Sequence, residues 1–458
     1  MSEALLPTAY YRLPRSRGFT LVEVIIAAAI FAVLSLAVYH GYATSIAVST
    51  SSRAMIAATA LANEQIEQAR NLPYASVGIV NGIPVGEIVR EQFLTRDSIP
   101  FAVTTAVRNI DDLFDGTLSG TPNDTAPADY KLMEVTIRCA SCKNYIPVVL
   151  TTTIAPKNLE GATANGALFI SVRDAAGVAV PQAVIRIQNT NSAIDITETT
   201  DAQGMYKLID VPPGNLAYTI TATKAGYSTD STTAATPANP DPIVPPATVA
   251  SGQVTQLTFF IDRIGSLILS TRSIDCSVRA TTGITLRGQK IVGGQASSSP
   301  VYKYKANMVT DAAGTAVATP MEWDTYSVLP NDSTQHIAGT LPPLGYALAP
   351  GATGDLQLLM QQKQGVGLLT LVKDAGTAQP IGGATLVLTR PNFSQTLLST
   401  SPAATGCAPA GQVFFTGLSM TGAPYTLTIT HPSYQTLVTE DVRLASEWQD
   451  RELVLTPN

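Results

Sequence analysis

Charge is scarce in this chain. Of its 458 residues only 14% are charged, against about 25% in typical soluble domains, and no cluster of lysine or arginine lies beyond the first 17 residues. With a formal net charge of −6, nucleic-acid recognition through a broad basic footprint is disfavoured. Histidine is limited to His40, His336 and His431. None has an acid or nucleophile beside it in a catalytic spacing, and no metalloprotease, nucleophile-elbow, phosphate-loop or dinucleotide fingerprint occurs. The chain therefore reads as non-enzymatic. Cysteine is limited to four residues, too few to staple a chain of this length, so hydrophobic cores must carry the fold.

What is present begins with one misplaced charge. Arg15-Ser16-Arg17-Gly18-Phe19-Thr20-Leu21-Val22-Glu23-Val24 leads straight into Ile25-Ile26-Ala27-Ala28-Ala29-Ile30-Phe31-Ala32-Val33-Leu34, so Glu23 sits at the mouth of a membrane-length apolar segment. A carboxylate near the bilayer centre costs at least about 2.5 to 3.5 kcal/mol and is expected to have a partner. A secretory signal peptide is the plainer reading of a basic stretch followed by an apolar one. It gives Glu23 no purpose, and the triple alanine lies inside the run instead of at its end. Arg12, Arg15 and Arg17 should hold the N-terminus in the cytoplasm and send the remainder outward. Low charge and abundant uncharged polar residues agree with export.

No proline lies between Phe19 and Leu72, and Pro73 gives a stop, which predicts a helix over 19–72, roughly 75 to 80 Å long. Its first half is apolar all round. In its second half Met55, Ala58, Ala62, Ile66 and Ala69 recur at three- and four-residue steps, with Asn63, Glu67 and Arg70 elsewhere, the pattern of a helix packed on a sheet. Gly41 lies at the transition and reads either as a loosening point or as a helix-packing contact. Strands follow at Phe101–Val107, Tyr130–Ile137 and Ile146–Ile154, the last two alternating as a hairpin would.

Gly18-Phe19-Thr20-Leu21-Val22-Glu23 and the apolar run resemble the type IV pilin and pseudopilin signal. The resemblance implies cleavage by a prepilin peptidase after Gly18, N-methylation of Phe19, and a pairing of Glu23 with the terminal amine of a neighbouring subunit. It further implies other pilins or pseudopilins and an inner-membrane assembly platform as partners. The order of helix and small antiparallel sheet is similar to the head of minor pilins.

Beyond residue 163 the chain repeats at about 100 residues. Leu168–Val172, Leu267–Leu269 and Leu368–Val372 recur, Asp201-Ala202-Gln203-Gly204 parallels Asp311-Ala312-Ala313-Gly314, and Tyr218–Ala222 parallels Tyr425–Ile429. Such a period fits one β-sandwich per unit. The order Pro181-Gln182-Ala183, Thr200–Tyr206, Val211-Pro212-Pro213-Gly214 and Gly226-Tyr227 resembles carboxypeptidase-regulatory-like, or transthyretin-like, domains. The third copy lacks the Asp-x-x-Gly turn, and the middle copy diverges most. The proline-rich stretch from Ala234 to Pro246 reads as an extended loop or stiff spacer, inside the first copy or after it.

The fold expected is therefore an α+β pilin-like part, a long α-helix with a small antiparallel sheet, followed by tandem all-β, Ig-like or transthyretin-like sandwiches. Its divisions are a leader over 1–18, a pilin-like domain over 19–156, and sandwiches over 163–262, 263–362 and 363–458. Cys139 and Cys142 are candidates for a local disulfide, a zinc site there lacking two further ligands, whereas Cys276 and Cys407 read as buried or free thiols. Asp111, Asp112 and Asp115, with Asp124 and Asp129 beyond, are either solvated turn acids or a Ca²⁺ site outside the EF-hand spacing; no other cofactor is indicated. Trp323, Tyr326, Tyr302 and Tyr304 read as sugar-stacking residues or as core. The function expected is a minor pilin-like subunit displaying the sandwiches outside the cell, with a surface glycan or protein as ligand. A pseudopilin of a type II secretion system, or an adhesin anchored by a pilin helix, is the alternative. With no Leu-Pro-x-Thr-Gly signal before Asn458, sortase-linked pili are disfavoured.

Overall fold

The computed structural model describes residues 20–458 apart from 115, 119, 125, 140–141, 143–144, 157–163, 190, 295–298, 402–406 and 408. Among the described residues two compact units divide the chain, one formed by residues 20–80, 84–108 and 130–156, the other by 81–83, 109–129 and 164–458.

The first unit is built on one helix, Leu21–Asn71, of 51 residues. Leu72 leaves it in extended backbone, as a residue before proline prefers. Ala54, Ala57, Ala58, Leu61, Ala62, Ile66 and Ala69 form its buried stripe, small side chains that let a sheet lie close against the backbone. Met55, expected on that face, is 42% exposed. One residue turns a helix by about 100°, and Ala54 takes the inward place.

The sheet runs in the order Glu91–Arg96, Ile99–Ile110, Tyr130–Arg138, Val148–Ile154. Its two central strands bury alternate residues, Phe101, Val103 and Val107 on one, Met133, Val135 and Ile137 on the other, which is the period of a sheet covered on one face. The first strand was not expected from the sequence. It folds back through Asp97 and Ser98, at φ of 50° and 64°, the paired positive-φ geometry of a two-residue hairpin turn. Lys131 is buried beneath, its ammonium donating to Tyr74 O at 2.8 Å and Val77 O at 2.6 Å.

The second unit holds three two-layered sandwiches with hydrophobic cores centred on Leu168–Ile261, Leu267–Met360 and Val366–Leu455. Each opens with a strand that becomes the centre of one sheet and closes with a strand laid parallel beside it. The pairs are Gly166–Arg173 with Val254–Phe260, Gly265–Ser273 with Thr353–Gln362, and Val366–Asp374 with Trp448–Leu455. The middle copy keeps this plan and adds Gln335–Leu341 outside its closing strand. Its divergence is therefore in sequence, in that edge strand and in a two-stranded pair, Ile291–Gly293 with Val301–Tyr302, while the order of the shared strands is kept.

A shared local device explains the repeat. Val172 N donates to Gly204 O at 2.7 Å, Thr271 N to Gly314 O at 2.8 Å and Val372 N to Gly411 O at 2.9 Å. The three glycines stand at φ of 69°, 71° and 70°, and a Cβ on Gly204 would lie 2.6 Å from Val172 O, so glycine is required for both reasons. Asp201 and Asp311 form the turns before the first two, each Oδ1 accepting backbone N–H bonds at 2.9 and 2.8 Å. The third copy reaches the same glycine geometry without the aspartate, Gly411 N donating to Thr400 O at 2.8 Å.

Beside each turn lies a buried hydroxyl. Thr200 Oγ1 accepts from Ala183 N at 2.9 Å and donates to Val180 O at 2.8 Å; Ser399 Oγ accepts from Ala384 N at 2.9 Å and donates to Ile381 O at 2.7 Å. In the middle copy Thr310 Oγ1 accepts from Thr282 N at 3.0 Å. Removing such a partner strands buried backbone groups and costs about 1 to 3 kcal/mol. Thr200→Val and Ser399→Ala should therefore speed amide hydrogen exchange at Ala183 and Ala384 by about tenfold or more; unchanged exchange would contradict the bridging role.

Candidate functional site: the helix terminus

Thr20 is the N-cap of the helix. Its Oγ1 accepts from Glu23 N at 3.3 Å, and Glu23 Oε2 accepts from both Thr20 N and Thr20 Oγ1 at 2.9 Å. This reciprocal capping box satisfies two of the helix's orphan donors and places a carboxylate at the positive end of its dipole. Between Leu21 and Ser52 Glu23 is the only charged residue, and the side chains from Leu21 through Val48 are exposed on every face. The segment is long and apolar enough to cross a membrane. Gly18 and Phe19, the residues of the expected cleavage and methylation, lie outside the described residues.

The cysteines pair differently from expectation in one case. Cys139 and Cys142 are disulfide-bonded with Cα atoms 5.5 Å apart. Cys276 and Cys407, read from the sequence as thiols, form a second disulfide with Cα atoms 5.6 Å apart across 131 residues. They join the second sandwich to the third, where the elements that carry them meet at one seam. Around that seam Gln412 exchanges two bonds with the Thr340 backbone, at 2.9 and 2.8 Å, and Trp448 Nε1 donates to Ile337 O at 2.7 Å.

The acidic loop is braced by its own carboxylates. Asp112 N donates to Asp129 Oδ2, Phe114 N to Asp112 Oδ1 at 2.9 Å, Leu118 N to Asp111 Oδ2 at 3.2 Å and Ala126 N to Asp124 Oδ1 at 2.7 Å. Asp115 lies outside the described residues. Of the candidate stacking aromatics, Tyr326 is 1% exposed and belongs to the middle core, donating to Glu322 O at 2.7 Å. Burial chiefly raises its pKa. It is the counterpart of Tyr218, whose hydroxyl donates to Pro212 O at 2.6 Å. Tyr304 packs edge-on against it at 5.8 Å, and Tyr302 lies under the Arg287 guanidinium at 4.5 Å. Trp323 stands apart from the core, half-buried, with the Lys290 ammonium 3.2 Å from its ring centre. Burial lowers the pKa of Lys290, against the opposing pull of Glu322.

A prokaryotic N-terminal methylation motif matches residues 13–39, and a carboxypeptidase regulatory-like domain matches residues 168–261. No curated protein matches the chain. Among solved structures it is similar to the Bacillus anthracis TIE protein, at 11% identity over 81% of this chain and 61% of that one, with a TM-score of 0.19. It thus spans 61% of that protein's length. Two others are the minor pilin GBS52 of Streptococcus agalactiae, at 11% identity over 43% of this chain and 96% of that one (TM-score 0.21), and BcpA, the major pilin subunit of Bacillus cereus, at 11% over 64% and 100% (TM-score 0.16). TM-scores this low establish no shared fold over the aligned length. The methylation motif and the apolar helix define the class: the chain has a type IV pilin-like architecture at its N-terminal helix, and a carboxypeptidase regulatory-like domain follows later in the sequence.

The pairing of the distal cysteines is open to direct test. Peptide mapping of unreduced, alkylated protein should recover Cys276 and Cys407 in one linked peptide pair and no alkylated cysteine. Recovery of either residue in alkylated form would contradict the bridge.

Proposed function

We propose that the chain is a minor, low-copy subunit of a type IV pilus-like filament, carrying its three sandwiches on the outside of the fibre. One observation carries the reading: a helix exposed and mostly apolar over Leu21–Val48, with Glu23 its one carboxylate, continuous with a half gripped by its own sheet. Such a surface needs lipid first and other helices later. A prepilin peptidase removes the leader after Gly18, and Phe19 becomes the methylated terminus. The helix waits in the inner membrane, where the Thr20 N–H and hydroxyl satisfy the Glu23 carboxylate. An assembly platform then lifts it among the helices of other pilins, where the amine of a neighbouring subunit supplies the opposite charge. Two charges withdrawn from water together cost far less than either alone.

The sandwiches favour a low-copy place, at the tip or scattered along the shaft. Some 300 residues of added β-structure on every subunit would crowd a thin fibre. Their outward placement supports a role in display and adhesion, to a surface glycan or protein.

Glu23→Val separates processing from assembly. Cleavage should survive, with mass spectrometry finding the mature terminus at Phe19, while recovery of the variant in sheared filaments falls tenfold or more. Incorporation at the wild-type level would remove the carboxylate from the assembly mechanism, and a terminus elsewhere than Phe19 would remove the processing scheme.

A further inference from the structure

We propose that the cleft between the first and second sandwiches is a binding site for a short neutral oligosaccharide, an inference that rests on the reading of these modules as displayed outside the cell. The cleft has a volume of about 520 Å³, within the range of small-molecule sites. It is built in advance of any ligand. The proline-rich stretch of the first sandwich, between Asp230–Ser231 and Ala247–Val249, crosses to the second: Ile243 N donates to Val292 O at 3.1 Å, Gly294 N to Asp241 O at 3.1 Å and Asn239 Nδ2 to Val292 O at 3.2 Å. Gly293 permits the contact, since a Cβ there would overlap Asn239. The two walls are thereby tied at a fixed spacing.

One side of the cleft is apolar and unspent. Phe260 is 45% exposed and Ile243 39% exposed, and both line the space with Trp323. The Trp323 ring is held by Lys290 above its centre, a cation–π contact that fixes its orientation. Beside these residues runs a bar of charge. Lys290 Nζ and Lys303 Nζ share the Glu322 carboxylate at 2.8 and 2.9 Å, and Lys303 also faces Asp230 at 3.7 Å. Two cations stand against two anions, so the bar offers no net charge to an ionic ligand. A charged ligand would have to break pairs that are largely withdrawn from water, at a cost such pairs do not readily return. Hydroxyl groups can donate to the carboxylates and accept from the ammonium groups while the pairs stay intact. A sugar combines those hydroxyls with C–H faces that suit Trp323 and Phe260.

The test uses the intact mature protein in detergent micelles and intrinsic fluorescence. Only two tryptophans exist, and Trp448 is 6% exposed in a different seam, so a ligand in the cleft should move the Trp323 signal alone. Titration with neutral di- to tetrasaccharides of glucose, galactose and mannose should shift the fluorescence saturably for at least one of them. Trp323→Phe should abolish the signal, and Trp323→Ala and Phe260→Ser should each weaken binding, measured by calorimetry, tenfold or more. Phe260→Ser guards against misfolding of the first variant, because Phe260 belongs to the first sandwich, not the second that carries Trp323, and already meets solvent. Saturation by none of these sugars, by oligogalacturonate or a charged peptide only, or undiminished binding by both variants would overturn the proposal. Filament incorporation of the same variants should equal wild type, so loss of the saccharide site and loss of the filament reading give different results.

Discussion

A single carboxylate on a helix that must leave water is the constraint on which the rest depends. Glu23 cannot enter a bilayer or a helical bundle unpaired without a penalty of several kcal/mol. Within its own chain the partner is Thr20, whose N–H and hydroxyl hold the carboxylate at 2.9 Å. That capping box does two things together. It starts the helix at a defined residue, and it presents the charge at the helix mouth, one turn from the place where a processed terminus would begin. The exposed, mostly apolar first half and the sheet-bound second half are the two ends of one continuous helix.

The distal modules answer a different problem, how to stay folded with little charge. Each sandwich is closed by a parallel pairing of its first and last strands, and each is locked at one corner by a positive-φ glycine and a buried hydroxyl. The seams are fixed as well. Backbone hydrogen bonds through the proline-rich stretch join the first copy to the second, and a disulfide with a glutamine clamp joins the second to the third. The three modules are thereby tied in series at both seams.

Much of this was legible because it is local. The proline-free run to Leu72, the alternation of Tyr130–Ile137, and the Asp-x-x-Gly turns at Asp201 and Asp311 each declare their geometry within a few residues. What escaped depends on distance or on small angles. The Cys276–Cys407 bridge spans 131 residues, and nothing adjacent to either cysteine reveals the other. Tyr326 stayed open between a stacking and a core role because the middle copy keeps little of the flanking pattern; its counterpart Tyr218 shows the role only once both hydroxyls are seen bound to a backbone carbonyl four to six residues back. Met55 fell outside the buried stripe by one helical step. The strand Glu91–Arg96 carries a weak alternation, and a turn of Asp97-Ser98 lacks the glycine that usually marks such a hairpin.

The central claim, that this helix is built among other pilin helices with Glu23 at a neighbour's terminus, can be measured in the assembled fibre. A photoreactive residue placed at Val24, one position from the carboxylate, should cross-link in purified filaments to the N-terminal peptide of another subunit, identified by mass spectrometry. Cross-links confined to lipid, or to peptides far from any subunit's terminus, would contradict the account.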